Sequence, residues 1–87
     1  MFSKEVEVRN PEGLHARPAT FFIHKANTFK SSVWVENGDR KVSAKSLLGV
    51  LSLGIGKGTE ITIIADGPDE EAALEGLSSL VDSGFAE

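Results

Sequence analysis

Cysteine is absent from this 87-residue chain, which excludes a disulfide framework and a thiolate metal site. An extracellular origin gains no support from that, and a reducing interior is the expected setting. Long apolar runs are missing too: nowhere do about 18 apolar residues follow one another, so no membrane-spanning helix is expected. Met1-Phe2-Ser3-Lys4-Glu5-Val6 carries charge where a secretory leader needs an apolar stretch, and the expected location is cytoplasmic. Basic residues are in the minority. Nine Lys and Arg against thirteen Asp and Glu leave a net charge of -4 at pH 7, with no basic block, so nucleic acid is not expected as a direct partner. No repeat, linker or low-complexity run is visible. With 40% hydrophobic residues, the length suits one domain over residues 1–87 with one core.

What is present is a clear alternation of periods. Phe2, Lys4, Val6 and Val8 alternate with Ser3, Glu5, Glu7 and Arg9, the pattern of a strand buried on one face. Asn10-Pro11-Glu12-Gly13 reads as a turn or loop. From Ala16 the period becomes helical, with Ala16, Ala19, Phe22, Ile23, Ala26 and Phe29 as one stripe, and Pro18 fits only because it falls in the first turn. Val33 and Val35 alternate with Trp34 and Glu36, Asn37-Gly38 signals a hairpin, and Arg40 to Ala44 returns as its partner strand. Leu47 to Leu53 is too apolar for a surface helix with one buried face, so some of its leucines should form an exposed patch. Glu60 to Asp66 reads as a central strand, and Asp69 to Ser83 as a helix stopped at Gly84 with Ala73, Leu74, Leu77, Leu80 and Val81 inward. The order β-α-β-β-α-β-α predicts an open-faced two-layer α+β domain, with Glu5, Glu7, Trp34, Thr62 and Ile64 on the uncovered sheet face.

The chemistry gathers at Gly13-Leu14-His15-Ala16-Arg17-Pro18, where an imidazole and a guanidinium stand two residues apart at a helix start. Unpaired amides and the helix dipole make such a place favourable for an anion, either bound or carried. Imidazole has a reference pKa near 6.5 and a competent neutral nucleophile, and Arg favours a phosphorylated product. His24 falls on the outward helix face and reads as solvated surface. The glycine-rich stretch Gly54 to Thr59 fails both nucleotide-binding spacings: Lys57 is followed by Gly58, and a strand, not a helix, comes next. It reads as a turn. Asp66 and Asp69-Glu70-Glu71 read as helix-start carboxylates, and two His without Cys make a poor zinc site. Ser46 is an N-cap, and a phosphate on an N-cap would meet the same free amides, so it is also a candidate modification site.

These residues carry a resemblance. Gly13-Leu14-His15-Ala16-Arg17-Pro18-Ala19 resembles the active-site signature of the HPr family, the histidine-containing phosphocarriers of the bacterial phosphoenolpyruvate:sugar phosphotransferase system. Val42-Ser43-Ala44-Lys45-Ser46-Leu47-Leu48-Gly49-Val50-Leu51-Ser52-Leu53 is similar to that family's serine-site segment, and the likeness spans essentially the whole chain. The resemblance implies a four-stranded antiparallel sheet with three helices on one side, in a monomer. It implies that enzyme I delivers phosphate from phosphoenolpyruvate to Nδ1 of His15, and that IIA domains of sugar permeases receive it. The chain would be a relay substrate more than an enzyme, with no metal or cofactor of its own. Arg17 and the backbone amides of Ala16 and Arg17 would hold the phosphoryl group. Thr20, Phe21, His24, Leu47, Leu48 and Leu51 would dock both partners. Ser46 would be the target of a serine kinase/phosphorylase, and its phosphate would slow histidyl transfer and recruit a catabolite-control transcription regulator. Two departures stand out: Ser43 where Asn is commoner, and leucines where the patch often has Met. The ending Asp82-Ser83-Gly84-Phe85 also resembles the nitrogen-related branch, a regulatory circuit. A Ser46-dependent interaction domain in which His15 is idle, and a small anion-binding α+β domain that binds phosphate without covalent modification, are the remaining alternatives.

Overall fold

In the computed structural model, residues 1–85 are described. Strands β1 (Phe2–Glu7), β2 (Ser32–Asn37), β3 (Arg40–Ser43) and β4 (Glu60–Asp66) form one antiparallel sheet in the order β1-β4-β2-β3. Helices α1 (Ala16–Asn27), α2 (Leu47–Ser52) and α3 (Glu70–Asp82) complete the β-α-β-β-α-β-α order expected from periodicity. Alternation decides which sheet face is covered. Val6 lies opposite Ile61, Val35 opposite both Ile63 and Val42, and Val33 opposite Ala65, so one face is a continuous β-branched and small apolar surface beneath the helices. On the other face Glu5, Thr62, Glu36 and Lys41 make one row, and Ser3, Ile64, Trp34 and Ser43 the next. That face is the open one; Lys41 stands 5.3 Å from the Trp34 ring centre. Among the described residues no helix is long and apolar enough to cross a membrane.

The helices bury most of the stripes their spacing announces, Ile23 and Phe29 lying only partly buried against the core and Ala16 outside it. Ala19, Phe22 and Ala26 of α1 are buried, as are Ala73, Leu74, Leu77, Leu80 and Val81 of α3. Ala16, expected to lead the α1 stripe, is exposed: its φ of 52° turns the first residue out of the helical path. At the sheet edge Phe2 is 46% exposed, and the inward-pointing Lys4 escapes burial by reaching Ser78 Oγ at 3.3 Å. The first strand closes at Glu7, two residues short of the expected Arg9, although Val8 still exchanges backbone bonds with Gly58 and Thr59. The hairpin forms one residue later than Asn37-Gly38 suggested. Asn37 pairs with Arg40, leaving Gly38 and Asp39 as the central residues, with only Gly38 at positive φ, the II′ arrangement.

Three buried apolar side chains come from segments without period: Leu14, Ile55 and Phe85. Phe85 returns to the core through a Schellman end, Gly84 sitting at φ 70° while the Phe85 amide donates to Leu80 and the Gly84 amide to Val81. The α3 start is also more specific than a dipole effect. The Asp69 carboxylate accepts from the Lys30 and Ser31 amides, each at 2.9 Å, and from the Ser31 hydroxyl, so it pins the end of the α1–β2 loop. Those donors, Ser31 Oγ first and the Lys30 amide next, pull its carboxyl down to about 2. Glu70 accepts from the Gly67 amide at 2.9 Å, which lowers its carboxyl as well.

Candidate functional site

The site begins in the loop between β1 and α1. Gly13 sits at φ 64°, and a Cβ there would overlap the Ile55 carbonyl oxygen and stand 2.7 Å from Gly56 Cα. No other residue fits that approach without moving backbone. The Leu14 amide donates to that same Ile55 carbonyl at 3.0 Å, and the Leu14 side chain is fully buried. From the other side the Gly13 amide donates to the Asn10 carbonyl at 3.1 Å, and Asn10 Nδ2 donates to the Gly13 carbonyl at 2.9 Å. The segment before His15 is thus fixed to the glycine-rich loop 54–58, which sequence spacing reduces to a turn and which in the structure is the floor of the site.

His15 occupies the N-cap of α1 in extended backbone, φ -128° and ψ 161°. Its ring makes no capping bond, and the residue is exposed. The first turn of α1 carries no acidic side chain to occupy the helix-start amides either. Ala16 at φ 52° holds an uncommon conformation for a residue with a Cβ, a strain of about 1–2 kcal/mol. Arg17 is exposed, its guanidinium 5.6 Å from the Phe21 ring centre, one turn along the helix. Imidazole, guanidinium and free amides therefore meet at one helix start, all open to solvent. Among the described residues no group of three His, Cys, Asp or Glu is placed to hold a metal ion.

The remaining expected site residues divide between two flanks of α1, which packs on α2 on one side and α3 on the other. Phe21 and His24 line a groove of about 600 Å³ with Gly76 and Leu80 of α3, rimmed by Lys25. Thr20 is half-buried and its Oγ1 donates to the Ala16 carbonyl at 3.3 Å. On α2, Leu48 is 81% and Leu47 39% exposed, whereas Leu51 is half-buried against the core. Ser46 caps α2, accepting from the Gly49 amide at 3.1 Å, and is exposed. Sequence reasoning missed what anchors this short helix. Arg40 donates to the Ser52 carbonyl at 2.7 Å at its C-terminus, and Lys45 Nζ donates to the Phe29 carbonyl at 2.9 Å. A cation before a short helix is a faint sequence signal for such anchoring, because only the hairpin's geometry brings Arg40 to that end.

Comparison with known proteins gives a family and a fold. The family model described as the PTS HPr component phosphorylation site matches residues 2–83. Among relatives, the HPr-like protein Crh of Bacillus subtilis (strain 168) is 49% identical over 81 residues, covering 93% of this chain and 95% of Crh. The phosphocarrier protein HPr of Neisseria meningitidis serogroup A (strain Z2491) is 40% identical over 87 residues, covering 100% and 98%. The fold superimposes on HPr-C-His from Thermoanaerobacter tengcongensis with a TM-score of 0.98 at 44% identity, covering 100% of this chain and 98% of that one. A crystal structure of Bacillus subtilis Crh, described as a dimer with a swapped domain, matches at 0.78 and 46% identity over the whole of both chains.

Proposed function

Because the chain belongs to the HPr family of the phosphotransferase system, we propose that it is a cytoplasmic phosphocarrier that accepts a phosphoryl group from enzyme I on Nδ1 of His15 and passes it to IIA domains of sugar permeases. The observation that carries this reading is the exposed His15 ring, which stands at the cap of α1 and caps nothing. In the transfer, the Nδ1 lone pair of His15 forms the new N–P bond as the bond from phosphorus to its donor atom on enzyme I breaks. The bonding pair leaves with that donor atom, and the His15 ring keeps its Nε2–H. Arg17 leaves its stack on Phe21 to meet the phosphoryl oxygens, and the Ala16 and Arg17 amides complete the cradle. Leu47 and Leu48, with Thr20, Phe21, His24 and the rim of Leu51, dock the partners in turn. The whole chain acts as one HPr domain and is a recycled substrate of other enzymes. The test is incubation with enzyme I, phosphoenolpyruvate and Mg²⁺. A gain of one acid-labile phosphate that disappears in His15→Ala supports the reading; an unshifted mass, or a phosphate that survives the substitution, refutes it.

A second reading is favoured by the 49% identity to Crh and by the exposed Ser46 cap. Phosphorylation at Ser46 by a kinase/phosphorylase blocks histidyl transfer and creates a surface for a catabolite-control transcription regulator. An interaction domain of this kind labels no IIA acceptor, whereas a carrier does. The dimeric Crh structure makes association of this chain a separate question, which sedimentation answers: the monomer expected for a carrier gives a mass near the 9.3 kDa of one chain.

A further inference from the structure

Asn10 lies only 6% exposed beneath the loop that carries His15. Its Nδ2 donates to the Gly13 carbonyl at 2.9 Å and to Glu12 Oε1 at 3.4 Å, while its Oδ1 is buried with no hydrogen-bond partner among the described residues. Turning the amide over cannot help. Both neighbours are acceptors, and a flipped group would present its oxygen to them. A buried acceptor without a donor is unfavourable, so the value of Asn here resides in the two donors of Nδ2. One of them closes a clamp: the Gly13–Leu14 peptide is held at its carbonyl by Asn10 and at its amide by the Ile55 carbonyl. The other draws the carboxylate of exposed Glu12 toward the buried Asn10 amide, three residues before His15.

We propose that Asn10 is a positioning residue for the phosphoryl site, tethering Glu12 so that its charge stays off the α1 amides and away from a phosphoryl group on His15. An exposed glutamate freed from that tether is attracted to unpaired helix-start amides by the same dipole that attracts phosphate. There it competes with the phosphoryl group and repels it. The consequence for transfer rests on the carrier reading above; the tether itself does not.

Four proteins test it: the native chain, Asn10→Ala, Glu12→Gln and the double variant. With enzyme I, phosphoenolpyruvate and Mg²⁺, the equilibrium ratio of phosphorylated to free protein should fall roughly threefold to fivefold in Asn10→Ala, the size of an exposed charge interaction. Relative to Glu12→Gln, the double variant should lose clearly less than Asn10→Ala loses relative to the native chain, the remainder being the lost bond to Gly13, and the difference should shrink at 1 M salt. A purely structural Asn10 gives equal losses in Asn10→Ala and the double variant, and that result, or no loss at all, overturns the proposal. Should Asn10→Ala not fold, Glu12→Asp keeps the charge, shortens its reach and leaves the bond to Gly13 in place; an unchanged equilibrium there is equally fatal. If the native chain takes no phosphate from enzyme I, the carrier reading fails on its own. The tether is then judged by titrating inorganic phosphate against the Ala16 and Arg17 amide resonances. Weaker binding in Asn10→Ala with recovery in the double variant upholds it, and identical behaviour in all four proteins rejects it.

Discussion

Replacing Gly13 by alanine tests the idea that the glycine-rich loop is the floor of the site. Two costs fall on this substitution. The first is conformational: φ 64° disfavours a residue with a Cβ by about 1–2 kcal/mol, partly offset by the lower entropy of alanine in the unfolded chain. The second is steric, because the new methyl overlaps the Ile55 carbonyl oxygen and stands 2.7 Å from Gly56 Cα, both backbone atoms that move only if the loop moves. Overpacking of this kind adds about 1–3 kcal/mol. Gly54→Ala isolates the first cost, since Gly54 has nearly the same φ, 62°, and nothing within 4 Å of the added Cβ. Urea unfolding of both variants should therefore differ by at least about 1 kcal/mol, with Gly13→Ala the weaker. Phosphoryl acceptance should fall only in Gly13→Ala, because only there does the Leu14-His15 segment shift. Equal stabilities would show that the loop yields freely and supports nothing.

Four further expectations concern the rest of the molecule. Asp69, with its carboxyl drawn down to about 2 from an ordinary 3.8, stabilises the folded chain above pH 4, and that stabilisation is lost as pH falls through 2. Asp69→Ala should lower the urea midpoint at pH 7, with the gap to the native chain closing in that acid window; a gap independent of pH refutes the linkage. Ser46→Ala should cost about 1 kcal/mol by removing the α2 cap. Ser46→Asp keeps a cap and stability but should lower kcat/KM for transfer from enzyme I, by setting charge beside exposed Leu47 and Leu48; unchanged kinetics would count against it. Leu48→Ala should leave unfolding unchanged within about 0.5 kcal/mol, given its exposure, while KM for enzyme I rises, and an unaltered KM removes Leu48 from the docking surface.

Periodicity makes the layers of this fold legible because strand and helix cores are built from repeating positions. Val33, Val35, Ile61 and Ile63 declare an inward face, and Phe22, Leu77 and Val81 lie on stripes visible by counting. The His15 and Arg17 pair was legible for a different reason: chemistry, a proline and a change of period coincide within six residues. What escaped is held by contacts between segments without period. Leu14, Ile55 and Phe85 are buried because two loops and a helix end fold back on the core, and no spacing rule marks them. The role of Gly13 depends on Ile55 and Gly56 more than forty positions away, and the Asp69 clamp on Lys30 and Ser31 is similarly remote. Ala16 misled for the opposite reason. It satisfies the stripe by number, but the strained φ at the helix entrance points it outward.

Two of the helix caps of this fold, His15 and Ser46, separate the two phosphorylation readings by what each side chain already does. Ser46 Oγ is engaged, accepting the Gly49 amide, and esterifying it weakens that acceptor just as it brings phosphate oxygens to the same helix start. On the proposed reading, a phosphate there exchanges one cap for a stronger one, while its ester bond is what keeps it in place until it is hydrolysed enzymatically. His15 starts from no capping bond at all, beside a residue strained by about 1–2 kcal/mol and an arginine whose stack on Phe21 contributes only about 0.5–1 kcal/mol at an exposed site. None of these terms is large enough to trap a phosphoryl group, and each is reversible when a partner approaches. On the proposed reading, a labile N–P bond at residue 15 and a persistent phosphate ester at residue 46 differ first by bond type, and the scaffold adds to each through whether the cap side chain is free or bonded before phosphate arrives.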